Sequence, residues 1–326
     1  METKTFKSKD YNWVFNKKTG FFARWGEDFT KDPEYSPIGP EIADIEISTI
    51  CHGPNDKPCK FCYKCNTGTG EYMNFELYKL IIQKLKGNLT QVALGIGDID
   101  SNPDLEKILE YTRSEDIVPN ITINGYRMTT YYYELLAKYC GAVAVSNYGW
   151  KNCIETVNIL KETGVSQVNI HQLICEETFD ECMSIISKHN DKQPYNAIVF
   201  LSLKQKGRGV NYTPITPYKF ETILKNSLKY HVPIGFDSCS ANKVMEHLDD
   251  KKLEIFCEPC ESMLFSIYVN TRGRISPCSF LENEETFSIQ ITENMDFMND
   301  VWRSESIQMW RDGLIRNKRN CPKYII

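Results

Sequence analysis

Apolar positions along the middle of the chain alternate between two spacings. Asn74–Leu85 carries apolar residues at helical spacing, and Gln91-Val92-Ala93-Leu94-Gly95-Ile96 reads as a buried strand. The pattern then repeats. A helix over 103–112 opens with Pro103 behind Asn102, and a strand over 119–123 ends in Asn124-Gly125. Helix 130–139 leads to strand 141–146, and helix 151–163, closed by Gly164, leads to strand 167–174. Helix 178–189, strand 196–203, helix 217–230 opened by Pro217 and strand 232–236 complete the series. An earlier apolar strand, Ile45-Glu46-Ile47-Ser48-Thr49-Ile50, runs straight into Cys51. Strands alternating with helices of this length predict an α/β fold of right-handed crossovers on a parallel sheet. Six or seven such units are too few to close an eight-unit barrel.

The pattern is different at both ends. Tyr11–Trp25 reads as a hairpin packed on the main body, and after Gly235-Phe236-Asp237-Ser238-Cys239 the alternation stops. Met263–Val269 and Ile275–Cys278 flank Thr271-Arg272-Gly273-Arg274, a second hairpin signal. These changes divide the chain into an N-terminal extension (1–41), a barrel-like domain (42–236) and a small C-terminal domain (237–326). A length of 326 residues suffices for one large core and a small one. No run is long and apolar enough for a membrane span, and the polar start Met-Glu-Thr-Lys-Thr-Phe-Lys lacks the apolar centre of a signal peptide. A formal charge of -5 gives no global basic footprint for nucleic acid and leaves only a local basic groove for it.

Cysteine changes the picture most. Thirteen cysteines in a chain without a secretion signal point to a reducing, cytoplasmic setting in which thiols bind metal. Cys51, Cys59 and Cys62 follow the first strand as C-x7-C-x2-C, with Phe61 before the last cysteine, Tyr63 after it, and Gly53-Pro54 in the longer gap. Three thiolates on a 4Fe-4S cluster leave one iron open to a small molecule, which turns an electron-transfer centre into a catalytic one. Cys65 makes Cys59/Cys62/Cys65 a second, more compact triplet, and a zinc knuckle drawing on His52 is the structural alternative. The motif resembles that of the radical S-adenosylmethionine (radical SAM) superfamily, in which a shorter first gap is commonest. The resemblance implies an open, partial (β/α)6 TIM-like barrel, with Cys51 as first ligand and Phe61 beside the adenine.

In a parallel sheet of this kind ligands gather at the carboxyl ends of the strands. Gly95-Ile96-Gly97-Asp98 falls where the family's Gly-Gly-Glu segment binds the methionine amino group, with Asp98 replacing Glu. Asn124 and Ser146-Asn147 resemble positions that hydrogen-bond the ribose or carboxylate. In Val168-Asn169-Ile170-His171-Gln172 polar side chains occupy a strand that should be buried, and either Asn169 and His171 or Gln172 face the site. Lys204 and Arg208, on a basic glycine-bearing loop after the sixth strand, are candidates for the S-adenosylmethionine carboxylate or an anionic substrate.

The C-terminal region contributes Cys239, Cys257, Cys260, Cys278 and Cys321, and resembles the auxiliary-cluster extension called SPASM or its shorter form, twitch. Five cysteines fill one four-thiolate 4Fe-4S cluster. The set expected is Cys239, Cys260, Cys278 and Cys321, with Cys257 as substitute and a zinc ribbon as alternative. Cys140, Cys153, Cys175 and Cys182 lie within regular elements and read as small apolar residues. The resemblance implies reductive cleavage of S-adenosylmethionine to a 5'-deoxyadenosyl radical, with a flavodoxin or ferredoxin as electron donor. Auxiliary-cluster members of the family most often modify peptides or proteins. The competing expectations are modification of a nucleotide or small metabolite, and a non-catalytic iron-sulfur or zinc scaffold.

Overall fold

In the computed structural model, which describes residues 2–190 and 192–324, the chain opens with an antiparallel sheet of β1 (Thr3–Phe6), β2 (Asn12–Asn16) and β3 (Phe22–Trp25). Aromatic burial holds it together: Tyr11, Trp13 and Phe15 are buried, and Trp13 stacks 6.0 Å from Phe22. The hairpin expected over 11–25 is present, with β1 added in front of it. The turn after β2 reaches the main body, where Lys17 and Gly20 line a cavity of about 100 Å³ together with Gln91, Asn120 and Gln167.

The main body is a series of strand-helix units. Its strands are β4 (Ile42–Glu46), β5 (Gln91–Gly95), β6 (Val118–Ile123), β7 (Ala142–Ser146), β8 (Gln167–Ile174), β9 (Ala197–Ser202) and β10 (Ile234–Phe236). Between them run α1 (Phe75–Leu85), α2 (Leu105–Ser114), α3 (Thr130–Tyr139), α4 (Trp150–Thr163), α5 (Phe179–Ser187) and α6 (Pro217–Lys229). The strands pair in parallel in chain order. Local chemistry fixes the helix ends. The Asn74 side chain accepts from Leu77 N to start α1, Pro217 occupies the first turn of α6, and Gly164 closes α4 in the left-handed region.

Each strand has one face under the helices and one turned inward. Ala43, Ile45, Val92, Leu94, Val143, Val145, Val168 and Ile170 are buried in the core that the helices cover. The intervening residues are small or polar apart from Ile42 and Leu173, and they line the lumen. This alternation resolves the fifth strand of the series: Asn169 and His171 face inward, and buried Gln172 faces the helix layer, where its Oε1 accepts from Asn147 Nδ2 at 2.7 Å.

After β10 come α7 (Ala241–His247), the hairpin β11 (Ser266–Val269) and β12 (Arg274–Ser276), the short β13 (Ile289–Gln290) and α8 (Glu305–Arg316). Strand β11 joins the main sheet parallel to β4, with Tyr268 beside Asp44, so the C-terminal segment is hydrogen-bonded onto the barrel's free edge. Ile307, Trp310, Arg311 and Leu314 form the buried face of α8. The architecture is α/β, an open partial barrel of parallel strands followed by a cysteine-rich extension. No helix among the described residues is long and apolar enough to cross a membrane.

Candidate metal centre and cofactor site

The first strand ends earlier than its apolar run predicts. β4 stops at Glu46, and residues 47–51 continue in extended form between two loops. On one side Thr49 N donates to Glu71 O at 2.8 Å and Cys51 N to Thr67 O at 2.9 Å. On the other, Gly97 N donates to Ser48 O at 3.1 Å and Asp98 N to Ile50 O at 2.8 Å. Position 97 has to be glycine. A Cβ there would stand 2.0 Å from Ile50 O and 2.8 Å from Cys51 Cβ, so any side chain would push the cysteine loop away.

Asp98 is buried, and its carboxylate is fully engaged. It accepts from His52 N at 2.9 Å, from His52 Nδ1 at 2.6 Å and from Asn124 Nδ2 at 3.0 Å, and Arg127 Nε lies 3.5 Å away. The Asn124 amide also donates to Gly97 O at 3.2 Å and points at Cys51 Sγ from 3.9 Å. Asp98 and Asn124 therefore brace the first cysteine, while Gly95 O, Gly97 N and Gly97 O are all taken up by protein partners. The other side of the loop is held by the basic segment after β9. Arg208 Nε donates to Cys59 O at 2.6 Å, Arg208 N to Cys62 O at 3.0 Å, and an Arg208 terminal nitrogen to Asn66 O at 3.0 Å. Gly207, at φ 57, passes so close that a Cβ would lie 2.3 Å from Tyr63 O.

These contacts bring Cys51, Cys59 and Cys62 together. Burial pushes the Cys59 thiol up to about 12, Cys51 and Cys62 push in the same direction, and the Arg208 guanidinium opposes them. Cys51 is raised by burial and then by Asp98. Cys65 is exposed and lines a polar cleft of about 340 Å³ with Glu71, Arg272 and Glu282. Phe61 lies 5.6 Å from Tyr148 and edge-on to Tyr212 at 5.7 Å. Ser146, the last residue of β7, and His171, on the inward phase of β8, are register partners. His171 is kept neutral by burial, which lowers it to about 4 against the pull of Asp237. The Asn169 Oδ1 is buried without a hydrogen-bond partner.

A second group of thiols lies beside the first. Burial raises Cys239 and Cys278 to about 12 and also raises Cys260; Cys239 and Cys278 each feel Cys260, and Cys260 and Cys278 each feel Cys321. Lys204 is buried, paired with Asp237, and faces Cys239 and Cys321, so it supplies positive charge to a set that is anionic when it binds metal. Cys257 stands apart, its Sγ donating to Leu253 O at 3.9 Å, and it is raised by burial and then by Glu254, with no other cysteine acting on it. All thirteen cysteines are free thiols. Among the described residues, no three His, Cys, Asp or Glu side chains are gathered tightly enough to hold a single metal ion.

The two thiol groups are joined by the residues that follow Cys62 and Cys278. Tyr63 stacks 4.3 Å from Phe280 and its hydroxyl donates to Ser279 Oγ at 3.1 Å. Buried Lys64 reaches Glu46 at 2.9 Å and the Tyr268 hydroxyl at 2.8 Å, and pairs with Glu282. Asp44, Lys64, Tyr148 and Arg127 did not stand out in the sequence. Asp44 carried a signal, an acid on the inward phase of an apolar strand. Lys64 and Arg127 act through loop contacts that no local pattern encodes.

No protein-family model matches the chain, and no curated protein matches it. Among solved structures the chain is similar to Streptococcus suis SuiB bound to precursor peptide SuiA, with a TM-score of 0.68 and 12% identity over 95% of this chain and 89% of that one. It is similar to SuiB bound to S-adenosylmethionine at a TM-score of 0.64 and 14% identity, covering 98% of this chain and 89% of that one. Native anSMEcpe with bound AdoMet and Cp18Cys peptide gives a TM-score of 0.60 and 14% identity, covering 82% of each chain. At these identities the likeness carries the fold. The chain has the partial barrel with C-terminal extension of these proteins, the architecture that the radical SAM resemblance implied.

Proposed function

We propose that the protein is a radical SAM enzyme that modifies a peptide or protein. The observation that carries this reading is the gathering of Cys51, Cys59 and Cys62 on one loop at the carboxyl ends of the parallel strands, while Cys65 points into a separate cleft. Three thiolates suit a 4Fe-4S cluster with one open corner. When bound there, the cluster and S-adenosylmethionine supply a 5'-deoxyadenosyl radical that abstracts a hydrogen atom from substrate.

The chain's own residues bind, orient and exclude water. Gly97 lets the β5 loop lie against Cys51, and between the engaged groups of Gly95 and Gly97 the Ile96 carbonyl is the backbone acceptor offered to an amino group. Phe61 and Tyr148 offer an aromatic wall for adenine. Ser146 and neutral His171 offer hydrogen bonds that place no fixed positive charge near a sulfonium. Cys239, Cys260, Cys278 and Cys321 suit one auxiliary 4Fe-4S cluster, in which each thiolate serves its own iron corner. A tetrahedral zinc site instead draws four sulfurs around one ion. Reduction requires a donor such as flavodoxin or ferredoxin. Thirteen free thiols favour a reducing, cytoplasmic setting.

A peptide substrate is favoured over a nucleotide by two observations. Structures similar to this one carry a precursor peptide or a short peptide. The basic loop that would serve an anionic substrate is committed to protein partners, Lys204 to Asp237 and Arg208 to the cysteine loop. Iron analysis of anaerobically reconstituted protein tests the assignment. The parent should hold roughly eight irons, the triple Ala variant at Cys51, Cys59 and Cys62 about half of that, and Cys65→Ser the full number. Full iron in the triple variant would overturn the assignment.

A further inference from the structure

One cation beside the first thiol group has no carboxylate partner. The segment after β9 carries Lys204, Lys206 and Arg208 at alternate positions. Lys204 pairs with Asp237, and Lys206 lies 3.5 Å from Glu282. Lys64, on the cysteine loop, pairs with Glu46 and Glu282. Among the described residues no ion pair reaches Arg208. Its donors go to neutral carbonyls instead: Nε to Cys59 O at 2.6 Å, a terminal nitrogen to Asn66 O at 3.0 Å, and the backbone N–H to Cys62 O at 3.0 Å.

The turn that carries Arg208 lies flat on the cysteine loop. A Cβ on Gly207, at φ 57, would stand 2.3 Å from Tyr63 O, and one on Gly209 would stand 3.5 Å from Phe61 O. The half-buried guanidinium is therefore held in place, and an arginine keeps its charge at every working pH. That charge acts on the thiol group: it opposes the upward push on Cys59. Three thiolates on a 4Fe-4S cluster make an anionic centre, and an added electron makes it more so. A fixed cation without a counter-ion favours the more anionic, reduced form. The auxiliary thiols differ in this respect. Lys204 faces Cys239 and Cys321 with Asp237 already bound to it, so its charge there is largely cancelled.

We propose that Arg208 is a positioning residue that sets the reduction potential of the first cluster, raising it toward the reach of a flavodoxin- or ferredoxin-class donor. Reduction moves one electron from the donor to the cluster, with no bond made or broken. The proposal rests on the reading of Cys51, Cys59 and Cys62 as ligands of a 4Fe-4S cluster. It adds what that reading leaves open, the protein charge that makes the cluster reducible.

Potentiometric titration of anaerobically reconstituted protein, followed by electron paramagnetic resonance, tests it. The first cluster is recognised as the signal that changes when S-adenosylmethionine is added. Arg208→Gln should make its one-electron reduction ~10-fold less favourable, a midpoint about 59 mV lower, and leave the auxiliary midpoint where it is. Arg208→Lys, which keeps the charge, should recover most of the difference. Arg208→His switches the charge within one protein: its first-cluster midpoint should rise more than the parent's as pH falls through about 6.5. This variant carries the test if Arg208→Gln does not fold, which the unfolding midpoint and the auxiliary iron report. An unshifted midpoint or a lost first cluster in folded Arg208→Gln, an equal fall in Arg208→Lys, or the parent's pH response in Arg208→His would overturn the proposal. A parent with no signal responsive to S-adenosylmethionine would overturn the radical SAM reading itself, which distinguishes the two failures.

Discussion

Single residues decide the geometry around Cys51. The contact at Gly97 leaves no room for a methyl group, because its position is 2.0 Å from Ile50 O. Gly97→Ala should therefore displace the loop, destabilise the protein by roughly 1–3 kcal/mol and lower iron at the first site. Denaturant unfolding and iron analysis measure the two effects, and an unchanged pair of values would contradict the contact. On the inward phase of β4 and β8, Asp44 and His171 have opposite pH dependences. Asp44 is raised to about 6, so its contribution to stability is present at low pH and is lost as pH rises through that value. His171 is lowered to about 4, so the unfolded chain takes its proton first and stability is lost as pH falls. The two oppose each other between about pH 4 and pH 6. Asp44→Asn leaves only the histidine term, so its stability should climb with pH in that window more steeply than the parent's. Equal slopes in chemical denaturation across the window would show that Asp44 is not enclosed.

Regular elements were the most legible part of the sequence. Helical spacing and a closing Gly164 locate α4, and β8 occupies the whole of 167–174, with Val168, Ile170 and Ile174 on its buried phase. Where pairing is irregular the pattern misleads. The apolar run 45–50 looks like one strand, yet β4 lies earlier, at Ile42–Glu46, because residues 47–51 bond to loops on either side instead of to a ladder. The inward phase of β8 stayed open in the sequence because Asn169, His171 and Gln172 cover both faces. Lys64 was not legible at all: its partners Glu46, Tyr268 and Glu282 come from segments far apart in the chain. That lysine joins the cysteine loop to β4 and to the residues after Cys278. Lys64→Met leaves buried Glu46 without its cation, while half-buried Glu282 keeps Lys206 at 3.5 Å, and should cost roughly 3–5 kcal/mol, read by urea unfolding. A loss below about 1 kcal/mol, the range of a surface pair, would mean that the network does not hold the loop.

At the scale of the molecule, the C-terminal extension is part of the barrel's own sheet, since β11 pairs with β4, the strand that leads to Cys51. The thiol groups on either side are linked through Tyr63 and Phe280. Replacing Cys278 or Cys321 by Ser should remove about half of the iron and stop product formation, because the auxiliary cluster would be lost while Cys51, Cys59 and Cys62 keep theirs. Retention of all iron in both variants would contradict the auxiliary assignment. The central claim is that the first cysteine group supports radical generation from S-adenosylmethionine. It is tested most directly by measuring 5'-deoxyadenosine formed by anaerobically reconstituted, reduced protein. The parent should form 5'-deoxyadenosine, and the variant with Cys51, Cys59 and Cys62 all replaced by Ala should form none. Formation by that variant, or none by the iron-loaded parent, would contradict the claim.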